Sequence, residues 1–468
     1  MKNYLNGTIG LTVLLLAALL SLSWLPKGLK FAHFELKEMD LLADVRRTSS
    51  DAAADPAAAE ADSTWMPVMP EDTLAIQDTL PAVFEPLPAK DSSWYGRRIE
   101  DYTPAQEGLQ RFFAAIDSTR KGRTVRIAFY GDSFVEGDIL IGDLRDSLQS
   151  LWGGRGVGFV PMTSEVSKFK RTFRHDFRGW ATHSIIKKEE GRPLLGLNGY
   201  TYTPAPEAKV HYEGLNYFKN TGTWSQVRLF YSASSPTPMV WQQQGGAPQS
   251  ATLKTSGSGV LGSWLWTDAA GTSAFAIRFP DPGNLQVYGA TLESGPGIYI
   301  DNFSVRGNSG GPLKLLKPEF IQQFDAVQRY DLVVIQVGLN AVTNSLNNIK
   351  WYRAELDRTF AHLKNCFPGK PILVVSVGDR GTRINGEIVT MRGVPAIVAM
   401  QRELAREHGL LFFDLYHGMG GAGSMWRLSN HKPMLANKDY THLTHEGGRH
   451  VSHLFVDVLL SEKARVDY

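Results

Sequence analysis

Ser133 sits in the triplet Gly131-Asp132-Ser133, directly after the apolar, partly β-branched residues 125–130. Asp439-Tyr440-Thr441-His442 and Asp414-Leu415-Tyr416-His417 each set a carboxylate three residues ahead of an imidazole. Val337-Gly338-Leu339-Asn340 offers a side-chain amide after a glycine, and Gly307 follows another apolar run. These residue types together suit acyl transfer. A serine hydroxyl attacks a carbonyl, and an imidazole held in one tautomer by a carboxylate takes its proton. N–H donors then receive the charge that develops on oxygen. Each feature alone is ordinary, because Gly-Asp-Ser and Gly-x-Asn are common turn formers. Spacing does not separate the two Asp-x-x-His pairs.

The chemistry requires all these residues at one edge of one sheet. Residues 125–130 read as a buried strand that Gly131 breaks. Ile139, Leu140, Leu144, Leu148 and Leu151 follow at helical spacing. Strand, turn and helix place Ser133 at the carboxyl edge of a sheet, where open α/β folds bind ligands. A helix amino terminus there suits an oxyanion. Further strands are expected at 298–305, 332–337, 371–377 and 410–414. Helices are expected at 102–118, 315–330, 348–366, 395–408 and 446–461. Near-continuous apolar strands alternating with helices predict a doubly wound parallel five-stranded sheet.

Between these α/β segments the pattern changes. Residues 227–231, 239–242, 251–255 and 274–279 are short strand candidates set among Gly, Pro, Asn and Ser. They predict an antiparallel β-sandwich inserted at residues 161–294. Trp180, Trp224, Trp241, Trp264 and Trp266 lie there. Such rings either fill the sandwich core or stack on sugar faces.

The amino terminus differs again. Residues 9–25 are nearly all apolar after Lys2, as in a signal peptide or a retained signal anchor. Residues 31–95 are rich in Ala, Asp and Pro and read as a flexible linker. The implied organisation is 1–30 signal segment, 31–95 linker, 96–160 and 295–468 α/β domain, with the insert between. The protein is expected in the periplasm or cell envelope, anchored to the membrane or secreted after cleavage. A net charge of +2 argues against a nucleic-acid partner. The single cysteine, Cys366, excludes an intrachain disulfide and a Cys-based zinc site.

The set of motifs resembles the SGNH (GDSL-like) hydrolase family. That family's four blocks contribute Ser in Gly-Asp-Ser, a Gly, Asn in Gly-x-Asn, and a late Asp-x-x-His. Gly131-Asp132-Ser133, Gly307, Gly338-Leu339-Asn340 and Asp439-Tyr440-Thr441-His442 match in that order. The resemblance implies a flavodoxin-like sheet with Ser133 as nucleophile, His442 as base and Asp439 as its orienter. It implies an oxyanion hole from the Ser133 and Gly307 N–H groups and the Asn340 amide, with no metal or cofactor. Gly137-Asp138, Gly156-Val157-Gly158-Phe159-Val160 and the β-rich insert are further similar to peptidoglycan O-acetylesterases whose insert resembles a carbohydrate-binding module. Residues 413–421 also look like this group, which makes His417 a structural or substrate-contacting residue. The expected activity is removal of O-acetyl groups from a glycan. The alternatives are a glycan O-acetyltransferase with the same triad and a non-catalytic glycan-binding wall protein.

Overall fold

The computed structural model describes residues 95–257 and 259–467, and a short antiparallel pair of strands, Lys30–Phe31 (β1) with Phe34–Glu35 (β2). That pair belongs to a first compact unit, Met1–Asp72, and the remainder to a second, Thr73–Tyr468. The apolar run at 9–25 and nearly all of the 31–95 linker lie outside the described residues. Among the described residues no helix is long and apolar enough to cross a membrane.

In the second unit the chain opens with β3 (Ile99–Asp101) and α1 (Gly108–Asp117). The helix buries Leu109, Phe112, Phe113 and Ile116 along one face. It begins later than residue 102, because Pro104 and the positive-φ residues Ala105 and Gln106 first form a tight turn. Thr103 Oγ1 and Asp101 Oδ2 then accept from the N–H groups of Gly108 and Leu109, satisfying donors that a helix start leaves unpaired. β4 (Thr124–Gly131) and α2 (Ile141–Trp152) follow.

Next come nine antiparallel strands: β5 (Arg155–Val160), β6 (Phe173–Ser184), β7 (Tyr200–Gly214), β8 (Trp224–Ser232), β9 (Thr237–Gln243), β10 (Gln249–Leu253), β11 (Gly262–Thr272), β12 (Ala274–Phe279) and β13 (Gln286–Ser294). The chain then returns through β14 (Gly297–Ser304), α3 (Pro318–Gln328), β15 (Leu332–Gln336), α4 (Ile349–Cys366) and β16 (Ile372–Val375). A hairpin of β17 (Gly381–Ile384) and β18 (Glu387–Thr390) precedes α5 (Gly393–Glu407) and β19 (Leu411–Phe413). Three helices close the chain, α6 (Leu415–Gly418), α7 (Ser424–Asn430) and α8 (His445–Val466).

The α/β sheet runs in the order β14-β4-β15-β16-β19-β3. The first five strands are parallel, as the sequence predicts. A sixth, β3, adds antiparallel at the β19 edge, so the sheet is mixed and not five-stranded. β3 carries no apolar run to announce it. Glu100 in its middle pairs with Arg402 Nε on α5 at 2.9 Å. The helices fall into two mutually packed groups, α1/α2/α8 and α3/α4/α5, as a doubly wound sheet requires. Because β4 lies between β14 and β15, chain order reverses at β4, and a ligand crevice is expected at its carboxyl end.

The nine-stranded region is one hydrogen-bonded array and not two separate sheets. β10-β9-β12-β7-β6 and β11-β8-β13-β5 meet at a single pair, Val287 with Tyr202. Both halves close over one core that includes Tyr202, Val210, Val227, Leu229, Phe275 and Val287. Trp224 and Trp266 are buried in it, and Trp180, Trp241 and Trp264 pack against it. Trp241 stacks flat on Phe275 at 5.7 Å and meets Trp264 and Trp266 at 6.1 Å. The array also takes in Arg155–Val160, ahead of the boundary expected at residue 161, because β5 pairs with β13.

The array is joined to the α/β core by both packing and charge. Phe159, Phe230 and Tyr288 belong to the α/β core cluster. Beneath them Arg126 of β4 makes a bidentate pair with Glu293 of β13, at 2.6 and 2.9 Å, and reaches Asp301 of β14 at 3.3 Å. Asp301 also accepts from Tyr330 Oη at 2.6 Å and from the Phe159 N–H at 2.8 Å. All three charged side chains are buried, so their pairing is what makes their burial tolerable.

Candidate active site

β4 ends at Gly131, where an added Cβ would sit 2.1 Å from Val135 Cγ2. Only a glycine lets the chain fold back so tightly at that point. Asp132 Oδ1 accepts the Phe134 N–H at 2.9 Å and closes the turn. Asp132 is fully buried. Burial pushes its carboxyl up to about 6, against the N–H groups of Phe134 and Leu339 and the nearby His442. Its Oδ2 is buried with no hydrogen-bond partner among the described residues. Asp138, five residues beyond Ser133, braces the same turn from two sides. It accepts from Asn302 Nδ2 on β14 at 2.9 Å and from Thr172 Oγ1 at 2.8 Å.

Ser133 Oγ lies 2.9 Å from His442 Nε2, and His442 Nδ1 lies 2.7 Å from Asp439 Oδ2. With Nδ1 donating to the carboxylate, Nε2 is left to accept the serine proton. Asp439 Oδ1 also accepts the N–H groups of Thr441 at 2.9 Å and His442 at 3.0 Å. Burial raises the Asp439 carboxyl, but the His442 side-chain bond and these two N–H groups outweigh it and hold it at about 2. The loop is fixed at its base by Asn437 N–H to His442 O, 2.8 Å, and by the bridge between Ala436 and Leu443. Thr444 Oγ1 then accepts the Gly447 N–H and starts α8.

Strand register brings the oxyanion candidates to this edge. Gly131 pairs with Ser304 of β14 on one side and Gln336 of β15 on the other. Gly307 follows three residues beyond Ser304, and Asn340 four beyond Gln336. Gly307 has φ +79°, a left-handed conformation that turns the chain across the edge. Asn340 Nδ2 donates to Asn308 O at 3.3 Å, so the two loops are in contact. Asn308 was not singled out in the sequence. It is buried, its Oδ1 accepts the Gly310 N–H at 2.9 Å, and its Nδ2 has no protein partner. The run Gly307-Asn308-Ser309-Gly310 was its only signal. Among the described residues no group of three or more His, Cys, Asp or Glu is arranged to hold a metal ion.

Residues 267–450 match the model of the GDSL-like lipase/acylhydrolase family. The matched segment holds Gly307, Asn340, Asp439 and His442, and Ser133 precedes it in the chain. The solved structure of a peptidoglycan O-acetylesterase is similar at 20% identity, over 78% of this chain and 99% of that one, with a TM-score of 0.62. The likeness is one of fold, and its extent takes in both the α/β domain and the β array. Two looser likenesses are a family two carbohydrate esterase from Cellvibrio japonicus and a carbohydrate-binding module from Clostridium stercorarium. The first has 9% identity over 63% of this chain and 98% of that one, TM-score 0.26. The second has 12% identity over 26% and 86%, TM-score 0.19. No curated protein matches the chain in sequence.

Within the α/β domain the second Asp-x-x-His pair has the same local geometry and a different setting. His417 Nδ1 lies 2.7 Å from Asp414 Oδ2. Asp414 is 1% exposed, caps α6 through the His417 N–H at 2.9 Å, and also receives Arg402 Nη2. His417 packs beside Tyr95 and Tyr416. The Ser133 hydroxyl meets His442, so geometry separates two pairs that spacing could not.

Proposed function

We propose that this protein is a serine esterase that removes O-acetyl groups from a glycan. The observation that carries the reading is the relay from Ser133 Oγ through His442 to Asp439, at 2.9 and 2.7 Å. Ser133 attacks the acetyl carbonyl carbon while its proton passes to His442 Nε2. Asp439, ionised from about pH 2 upward, stabilises the imidazolium. The Ser133 and Gly307 N–H groups and the Asn340 amide take the oxyanion. Collapse breaks the bond to the sugar oxygen, which takes the proton from His442 and leaves as a hydroxyl, and an acetyl-serine ester remains. Water then repeats the sequence, releasing acetate and restoring Ser133.

The acetyl-glycan substrate is supported by the fold shared with a peptidoglycan O-acetylesterase and by the β array beside the site. The apolar segment at 9–25 and the Ala/Asp/Pro-rich linker support an exported enzyme of the cell envelope, held at or released from the membrane. The test is acetate release from purified O-acetylated glycans by wild type and Ser133→Ala, with and without an unacetylated acceptor glycan. Release by wild type alone supports the esterase. Acetyl appearing on the acceptor instead of in solution makes the enzyme a transferase. Equal release by Ser133→Ala overturns the assignment.

A further inference from the structure

A groove of about 470 Å³ lies on the β array beside the candidate oxyanion loop. β6 supplies one wall with Phe177, Arg178 and Trp180, and Ile186 and Lys187 follow it. Arg306, the residue before Gly307, also lines it. Ile186 Cδ1 lies 3.8 Å from where a Cβ on Gly307 would stand, so groove and oxyanion loop touch.

Its chemistry is amphipathic and cationic. Trp180 is the one tryptophan of the array that lines it. The indole is anchored by Nε1 donating to Lys209 O at 2.9 Å and by an edge contact with Phe279. Phe177 is 36% exposed. Three cations face one carboxylate, Glu165. Arg306 is already paired with Glu136 at 2.8 Å. Arg178 and Lys187 make no side-chain hydrogen bond or ion pair among the described residues.

We infer that this groove is the subsite for the glycan chain and that it selects a carboxylate-bearing glycan, with Arg178 and Lys187 receiving the acidic group. The inference rests on the esterase reading and deepens it. Aromatic faces at a groove favour sugar rings, which present C–H groups to a π surface. Two unpaired cations there favour an anion over a neutral chain. A chain lying in the groove runs past Arg306 toward Gly307, so recognition and chemistry occur on one polymer.

The experiment compares wild type with the double variant Arg178→Gln/Lys187→Gln on three esters: a small neutral acetyl ester, O-acetylated polygalacturonate and O-acetylated glucomannan. Both positions are exposed, and the small-ester rate should be unchanged. On the acidic polymer KM should rise about tenfold, as expected for losing two exposed ionic contacts. On the neutral polymer nothing should change. Co-sedimentation of the Ser133→Ala protein with the two unacetylated polymers reads the groove without turnover, and the acidic one should be retained preferentially. Equal retention, or an unchanged KM in the double variant, overturns the groove. Preferential retention without cleavage of any ester keeps the groove and overturns the esterase reading instead.

Discussion

Arg306 Nη2 lies 2.8 Å from Glu136 Oε2, and this ion pair spans the two loops that flank the candidate oxyanion. Glu136 is three residues beyond Ser133, and Arg306 immediately precedes Gly307. Glu136 is largely buried while Arg306 is half exposed. Burial raises the Glu136 carboxyl and the Arg306 charge opposes that rise. The pair thus sets the spacing between the nucleophile turn and the Gly307 N–H. Glu136→Gln should lower kcat about tenfold to a hundredfold with KM little altered, the scale expected when reacting groups are misplaced by about 1 Å. Steady-state kinetics on a small acetyl ester decide it, and equal losses in kcat and melting temperature across Glu136→Gln and Arg306→Lys would reduce the pair to a structural one.

Ser133→Ala and His442→Ala should each lower turnover by more than about 1,000-fold, with a double variant no worse than either, because the groups act as a unit. His417→Ala should keep most of the turnover, since its side chain meets a capping carboxylate and not Ser133. Active-site titration and circular dichroism on the three variants separate lost chemistry from lost fold. An inactive His417→Ala beside an active His442→Ala would reverse the assignment.

Asn340→Ala should lower kcat by about 100- to 1,000-fold, the usual loss of one oxyanion donor. The effect should fall on kcat more than on KM, because the amide is needed for charge that develops only in the transition state. An unchanged rate removes Asn340 from the oxyanion hole.

Asp132 links activity to pH through stability. Its native carboxyl, raised to about 6 by burial, binds its proton more tightly than the unfolded chain does. The native state therefore holds the extra proton between about pH 4 and pH 6, and this group's contribution is fully present below that window. It is lost as pH rises through about 6, by up to about 3 kcal/mol. Asp132→Asn should flatten that part of the stability profile, which urea melts between pH 4.5 and 7.5 would show. An unchanged slope would mean that Asp132 is ionised throughout.

Trp224, fully buried in the array core, should destabilise the protein by about 3–5 kcal/mol when changed to Ala. Trp180→Ala should cost less stability and should lower activity on polymer more than on a small ester. Melting temperatures and the polymer-to-small-ester ratio, read together, test this. A shifted ratio in Trp224→Ala without a lowered melting temperature would contradict it.

The parallel strands were legible because a strand buried on both faces is nearly all apolar, as residues 332–337 and 371–377 are apart from Gln336 and Ser376. The site was legible where chemistry fixes residue type, at Ser133, Asn340 and the two Asp-x-x-His pairs. What hid was held by polar contacts. β3 joins the sheet through three residues, one of them the ion-paired Glu100. β6, with Arg174, His175, Asp176 and Arg178, shows little strand-like apolar character, because much of its length is exposed. Spacing could not choose between His442 and His417, and only the resemblance favoured His442, because the choice depends on which loop reaches Ser133. The Asn437–His442 backbone bond closes the base of the loop that does reach it.

The buried junction of Arg126, Glu293 and Asp301 also limits how this protein can be re-engineered. An array held only by apolar contact could be excised or exchanged like a fitting. Here Glu293 lies on the array, while Arg126 and Asp301 lie in adjacent strands of the α/β sheet. A graft that replaces residues 161–294 removes Glu293 and leaves the buried Arg126 guanidinium with half its counter-charge. Losing one partner of such a pair costs about 3–5 kcal/mol, a large share of a typical domain's total stability. Any chimera must therefore bring a carboxylate to the position of Glu293, or replace the whole triad with apolar residues of matching volume.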